Sequence, residues 1–327
     1  MKKVEYHFTV ASEIPEEPYS ELLALHRLCF GQYQGVLPFD ESILRWYIQR
    51  PGLGLEHTLV MLHGDTIISS LFLTLSAFVV EGTLLPVGII DTVMTHPLYR
   101  GKGLATKLMQ EAEAMMRACD CWFGYLYTVP ETRQFGLYQN LGYRDFQRVF
   151  HLEKEGQAPK IEVTPFPQEE VRQFLNETLV RYNGFIPFDE ALWKWRKVER
   201  PAGIPAQVFV HRDSRGKIQG TITLAWGKIV TATGEEEVVY LSDWAGVSKE
   251  GKERLLHVAL SAAGNAKVDL LCPVSNLEEW AILQENGFQP TLAESAMLFP
   301  LRKEAQTVLQ KALSKNWYPL IESVVGV

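Results

Sequence analysis

The chain has 327 residues, 46% hydrophobic and 22% charged, with a formal net charge of −7. At about 100–200 residues per domain, that length and composition suit a two-domain globular protein with well-filled cores. The acidic balance offers no basic footprint for nucleic acid, and no apolar run of about 18 residues suggests a membrane span.

Met1-Lys2-Lys3-Val4-Glu5-Tyr6-His7 has no apolar stretch after its lysines. It does not read as a signal peptide, so a cytoplasmic location is expected. Four scattered cysteines (Cys29, Cys119, Cys121, Cys272) do not form a disulfide framework or a Cys-x-x-Cys site. The eight histidines show no ligand spacing, and no metal is expected.

In chain order, Glu21 to Phe30 and Glu41 to Gln49 are amphipathic and predict helices. Thr58 to Leu62 and Ile67 to Ser76 predict paired strands around the turn Gly64-Asp65. Pro86 to Thr95 predicts a strand and Leu104 to Ala118 a helix. Strand Trp122 to Thr128, helix Arg133 to Leu141 and closing strand Arg144 to Leu152 follow. This succession predicts an α+β fold with a mixed, mostly antiparallel twisted sheet flanked by helices.

The pattern then returns. Gly35-Val36-Leu37-Pro38-Phe39-Asp40-Glu41 reappears as Gly184-Phe185-Ile186-Pro187-Phe188-Asp189-Glu190. Each copy leads through a Trp-bearing stretch to an Arg-Pro pair, Arg50-Pro51 and Arg200-Pro201. Leu137-Tyr138-Gln139-Asn140-Leu141-Gly142-Tyr143 is echoed by Ile282-Leu283-Gln284-Glu285-Asn286-Gly287-Phe288. Co-linear echoes at this distance indicate duplication of a whole domain. Residues 1–154 form the first unit, the polar stretch 155–160 a linker, 161–300 the second unit and 301–327 a helical tail.

The informative segment runs from Ile90 to Lys107. A strand ends near Thr95, a Gly-bearing turn follows, and a helix starts near Leu104. Glycines let backbone approach a ligand, and the unpaired N–H groups of a helix's first turn favour an anion such as pyrophosphate. Arg100, Lys102 and Lys107 place positive charge there. The segment lacks the P-loop pattern and the Gly-x-Gly-x-x-Gly dinucleotide fingerprint.

Val93, Pro97, Arg100, Gly103 and Ala105 together resemble the "V-x-x-x-P-x-x-R-x-x-G-x-G/A" motif of GNAT acetyltransferases, and Leu137 to Tyr143 resembles that family's "L-Y-x-x-x-G-F/Y". The resemblance covers about residues 1–154. It implies acetyl-CoA as co-substrate, with the pantetheine arm on Val93, Met94 and Thr95. The pyrophosphate would lie on Arg100, Gly101, Lys102, Gly103, Leu104, Ala105 and Thr106. It further implies Tyr138 as general acid for the departing thiolate, a thiol near 8.5 meeting a phenol near 10. The other reading of Tyr138 is a packed aromatic with a satisfied hydroxyl. The family commonly carries Asn about seven residues before this tyrosine; Glu131 stands here.

Asp91 is either the base that receives the amine proton or a carboxylate bonded to backbone or a partner. Glu56 and His57 are weaker candidates, and His96 reads as a turn residue. In the second unit, Ser248-Lys249-Glu250-Gly251-Lys252-Glu253-Arg254 does not reproduce Arg-x-x-Gly-x-Ala, Leu283 stands opposite Tyr138, and Asp243 aligns with Asp91. The layout resembles tandem GNAT proteins of the enhanced-intracellular-survival (Eis) type, without their sterol-carrier-like domain: an active first copy and a degenerate second. The expectation is an N-acetyltransferase acting by direct attack of a primary amine from a small molecule or peptide. The alternative is a non-catalytic acyl-CoA-binding sensor. The acidic chain favours a cationic acceptor; oligomeric state is not legible.

Overall fold

The computed structural model describes residues 6–31, 37–155 and 168–319. In the first half, β1 (His7–Val10) leads to α1 (Tyr19–Phe30) and α2 (Glu41–Ile48). Then come β2 (Thr58–His63), β3 (Thr66–Val80), β4 (Thr83–Thr95), α3 (Leu104–Ala118), β5 (Phe123–Thr128), α4 (Arg133–Asn140) and β6 (Arg144–Glu155). The second half contains α5 (Gln168–Leu179), α6 (Glu190–Trp193), β7 (Ala206–Arg212), β8 (Ile218–Thr231), β9 (Gly234–Gly246), α7 (Lys249–Ala263), β10 (Lys267–Pro273), α8 (Leu277–Glu285) and β11 (Gln289–Pro300). A last helix, α9, spans Lys303–Ala312. Residues 156–160 of the expected linker, and Gly35 and Val36 of the repeated motif, lie outside the described residues.

The elements follow from local chemistry. The repeated Pro-Phe-Asp-Glu motif is a helix start: Asp40 accepts from the Ile43 N–H at 2.8 Å, and Asp189 from the Leu192 N–H at 2.7 Å. Such caps satisfy a backbone donor that the helix cannot. β3 and β4 run further than the apolar pattern predicts, to a tight turn at Glu81-Gly82. The extension has a partner, since Val79 N–H donates to Phe185 O and Gly184 N–H to Val79 O, both at 2.8 Å. β1 was not expected: His7–Val10 is too short for a periodicity to show, and its ladder with β2 supplies the order.

All strands of the described residues join one eleven-stranded sheet in the order β1-β2-β3-β4-β5-β11-β6-β10-β9-β8-β7. The β4–β5 and β9–β10 pairs are parallel and the others antiparallel. The α+β class and the mixed, mostly antiparallel sheet agree with the sequence. The order within it is not the chain order. β11 pairs with β5 through Ser295 to Pro300, while β6 pairs with β10 through Val149 to Glu155. Each half lends its closing strand to the other, and the two lent strands pair with each other at the middle of the sheet.

Helices cover both faces. One core is shared by the halves and gathers Leu22, Trp46, Tyr47, Phe72, Leu175, Trp195, Leu309 and Trp317. The opposite face carries two separate cores, under α3 and α4 (Leu104, Leu108, Met116, Tyr138) and under α7 and α8 (Leu255, Leu256, Ile282, Leu283). In the shared core Trp46 and Trp195 stack at 4.6 Å and 11°, and each indole N–H donates to the other's backbone carbonyl, at 3.1 and 2.8 Å. Their separation of 149 residues is the early offset of the repeat.

Candidate active site

β4 ends in an opening. Its parallel pairing with β5 covers only Val87 to Ile89 against Phe123 to Tyr125. Beyond that the strands part, while β5 stays paired with β11 on its other edge. On the other edge of β4 the register with β3 jumps from Phe72↔Asp91 to Ser70↔Met94, a bulge that leaves Thr92 and Val93 out of the ladder. Thr92 sits at φ 49°. A β-branched residue rarely adopts that conformation, which costs of order 1–3 kcal/mol and clusters at functional sites.

The bulge is held from below. Arg50 Nη2 donates to Asp91 Oδ2 at 2.5 Å, with both side chains almost wholly buried (1% and 6% exposed). Thr92 Oγ1 donates to Asp91 Oδ1 at 2.7 Å. The guanidinium lies 4.5 Å from the Tyr47 ring centroid, and burial first, then the Asp91 charge, lift the Tyr47 phenol well above its usual range. Ser69 fixes the next step, donating to Met94 O at 2.5 Å and meeting Thr95 Oγ1 at 2.8 Å.

After Thr95 the chain makes a short turn, Pro97–Tyr99, started by His96, whose Nδ1 accepts from the Leu98 N–H at 3.2 Å. This is the turn role expected of His96. Gly101 (φ 76°) and Gly103 (φ 77°) take the left-handed conformation that bends the loop into α3. No side chain caps α3, so the N–H groups of its first turn face the loop. Leu104 is buried beneath, Ala105 and Thr106 are half-buried, and Arg100, Gly101, Lys102 and Gly103 are exposed. Arg100 Nε donates to Thr95 O at 3.1 Å; the Lys102 ammonium lies 4.6 Å from the Tyr99 ring. The loop thus presents open N–H groups, a helix dipole and cations on one side, as a pyrophosphate requires.

Tyr138 stands on α4, which starts at Thr132, whose Oγ1 accepts from the Phe135 N–H at 3.3 Å. Glu131, just before this cap, is exposed with φ 62°. Tyr138 is 7% exposed and packs edge-on to Tyr143 at 6.2 Å. Burial pushes its phenol up, and the nearby Asp91 charge pushes it further. The structure therefore brings Asp91 and Tyr138 to one place. His57 is instead tied locally, its Nδ1 facing Gly52 O and Leu53 O at 3.1 and 2.9 Å. Sequence reasoning missed Arg50 as a site residue; the available signal was a strong base ending an apolar helix in both repeats.

The second half has the same bulge with different chemistry. The β8–β9 register jumps from Thr223↔Ser242 to Thr221↔Ala245, and Asp243 has φ 46°. By register, Asp243 matches Thr92 and Ser242 matches Asp91, one residue from the alignment read in sequence. Asp243 is wholly buried among Lys197, Thr223 and the Tyr318 hydroxyl. Leu283 is fully buried where α4 carries Tyr138. Among the described residues no cluster of three or more His, Cys, Asp or Glu is arranged for a metal ion, and no helix is long and apolar enough to cross a membrane.

Residues 11–145 match the family described as acetyltransferase (GNAT) domain. The first half is thus similar to a GNAT acetyltransferase domain. Its match ends at the start of β6, where the chain leaves for the other half of the sheet. A search of the curated proteins finds no match. Among solved structures, a GCN5-related N-acetyltransferase from Anabaena variabilis superposes with TM-score 0.64 at 20% identity, over 91% of this chain and 73% of that one. N-myristoyltransferase of Saccharomyces cerevisiae with bound myristoyl-CoA gives TM-score 0.71 at 11% identity, over 91% and 85%. A probable N-acyltransferase from Enterococcus faecalis gives 0.63 at 14%, over 92% and 74%. These likenesses show that nearly the whole chain shares its fold with these structures.

Proposed function

We propose that the protein transfers the acetyl group of acetyl-CoA to a primary amine of a small molecule or peptide, at the end of β4. The observation that carries this reading is the convergence of three features at the β4–β5 opening: the uncapped α3 terminus behind Gly101 and Gly103, the strained Thr92 bulge, and the buried Tyr138 phenol. The pyrophosphate rests on Arg100 to Thr106 and the pantetheine arm follows Val93 to Thr95. The amine nitrogen attacks the thioester carbon, the C–S bond breaks, the sulfur gains its proton from Tyr138, and the proton released by the nitrogen passes through water to restore the Tyr138 phenol. Tyr138, kept neutral by burial, donates to the departing sulfur.

Asp91 enters as a positioning carboxylate rather than as the base named from sequence. Its two oxygens are already taken by Arg50 and Thr92. Residues 161–300 are, on this reading, a decayed copy of residues 1–154, in the manner of the Eis-type layout, with 301–327 a tail. The repeated Asp caps and the reciprocal Trp46–Trp195 bonds support that descent. A cytoplasmic setting and a cationic acceptor complete the proposal.

The test is calorimetric titration of acetyl-CoA, and in parallel myristoyl-CoA, into the full chain and an Arg100→Glu, Gly103→Glu variant, followed by a screen of amines for CoA release. One acetyl-CoA site per chain, lost in the folded variant, and amine-dependent release are expected. A folded wild type that binds no acyl-CoA refutes the reading.

A further inference from the structure

The second half keeps a counterpart of the cofactor groove, between β9 and β10, but a buried partition divides it. Tyr182 and Glu279 line both of the resulting spaces. The inner one, of about 40 Å³, is closed by Trp244, Asn276, Tyr318 and Pro319. The outer one is a polar cleft of about 230 Å³ at the start of α7, lined among others by Arg181, Ser248, Lys249, Lys252 and Glu278.

The partition is heavily hydrogen-bonded on one side only. The Lys252 ammonium, 2% exposed, donates to Glu279 Oε1 at 2.5 Å and to Glu278 Oε1 at 2.7 Å, and lies 3.4 Å from the Tyr182 hydroxyl. That hydroxyl donates to the same Glu279 Oε1 at 2.5 Å. Glu279 Oε2 has no hydrogen-bond partner among the described residues, although the side chain is only 8% exposed. A buried carboxylate oxygen without a donor is costly, and an N–H placed in the cleft removes that cost.

The mouth of the cleft offers the opposite chemistry. α7 is 15 residues long. Ser248 takes two of its first N–H groups, that of Gly251 on Oγ and that of Lys252 on its carbonyl. Those of Lys249 and Glu250 have no partner within the helix. Arg181 adds positive charge beside them, while the Lys249 ammonium is already paired with Glu285 and Glu253. A pyrophosphate entering here would bring its charge onto Glu278 and Glu279. A ligand with an ammonium for Glu279 and a carboxylate for the α7 terminus meets both ends.

We propose that this outer cleft is a binding site for a free α-amino acid, its ammonium on Glu279 Oε2 and its carboxylate at the start of α7. The site is separate from the acyl-transfer reading and stands or falls without it.

The experiment titrates the full chain, saturated with acetyl-CoA, with each standard L-amino acid by calorimetry and thermal shift. At least one is expected to bind saturably at one site per chain. Affinity should fall by roughly tenfold or more in Glu279→Gln, the loss of one charge-assisted bond. Because that variant disturbs the buried Lys252, Val247→Trp serves as the second: Val247 lines the cleft and is 59% exposed, so a bulky ring fills the mouth without touching the partition. It too should abolish binding, while Arg100→Glu should not. Failure of every amino acid to bind, binding that survives both cleft variants, or occupation of the cleft by acetyl-CoA would overturn the proposal.

Discussion

Replacing Arg50 with methionine leaves the Asp91 carboxylate buried without its cation. Both groups lie almost out of water, so the pair is in the regime where removing one partner costs about 3–5 kcal/mol. Unfolding entropy near 2.1 cal/mol/K per residue gives roughly 0.7 kcal/mol/K for this chain. A cooperative transition should therefore drop by about 4–7 °C. The companion Asp91→Asn removes the opposite charge, and in the double variant the losses should not add, leaving a coupling of about 2 kcal/mol or more. Urea unfolding of the four proteins, with calorimetric melts, measures both quantities. A loss below about 1 kcal/mol for Arg50→Met, the value of an exposed pair, would show that the bulge is not held as described.

Tyr138→Phe should leave acetyl-CoA affinity unchanged and lower kcat by about 10²–10⁴, the range for a lost general acid. Because burial raises the phenol, wild-type kcat should hold as pH passes the ordinary tyrosine value, measured as CoA release across the alkaline range. Thr132→Ala removes the cap of α4 and should cost about 1 kcal/mol in urea unfolding, with kcat falling while acetyl-CoA affinity is kept. His151 gives a pH signature. Burial alone would lower it, but the Asp269 hydrogen bond and charge, with Glu294 and Glu153, raise it to about 9. The folded state then holds the extra proton, so this contribution is complete below about pH 6.5 and is lost as pH rises through about 9. Its size is on the order of 3 kcal/mol; His151→Gln should flatten stability over that window in urea titrations.

The Gly-bearing loop before α3 was legible in the sequence because its determinants are local: two glycines at positive φ, a strand before them and an amphipathic helix behind. The helix from Glu41 was legible for the same reason, whereas the caps at Asp40 and Asp189 came from the structure. What holds the bulge was not. Arg50 and Asp91 are 41 residues apart, and only the packing of α2 beneath β4 brings them together. The register of the second bulge was missed by one residue, since Ser242-Asp243 gives no local sign of which residue leaves the ladder. Strand order was hidden most deeply. β6 and β11 are equivalent in the repeat and alike in pattern, so nothing within either strand says which half it closes.

That exchange bears on how the chain is made. β5, the inner edge of the first half, acquires its second partner only when residues 295–300 have been synthesised. Until then a ribosome-bound first half carries an open strand edge, the kind of template that recruits another chain. Cutting the gene at residue 155 would not yield a free-standing folded unit, because the piece keeps β6, which pairs in the other half, and lacks β11. Two copies of such a piece have a complementary remedy, each offering its β6 to the gap beside the other's β5. On the duplication proposed above, a single-copy ancestor could close its sheet in that way only as a pair, and fusion of the two copies would then make the partnership permanent.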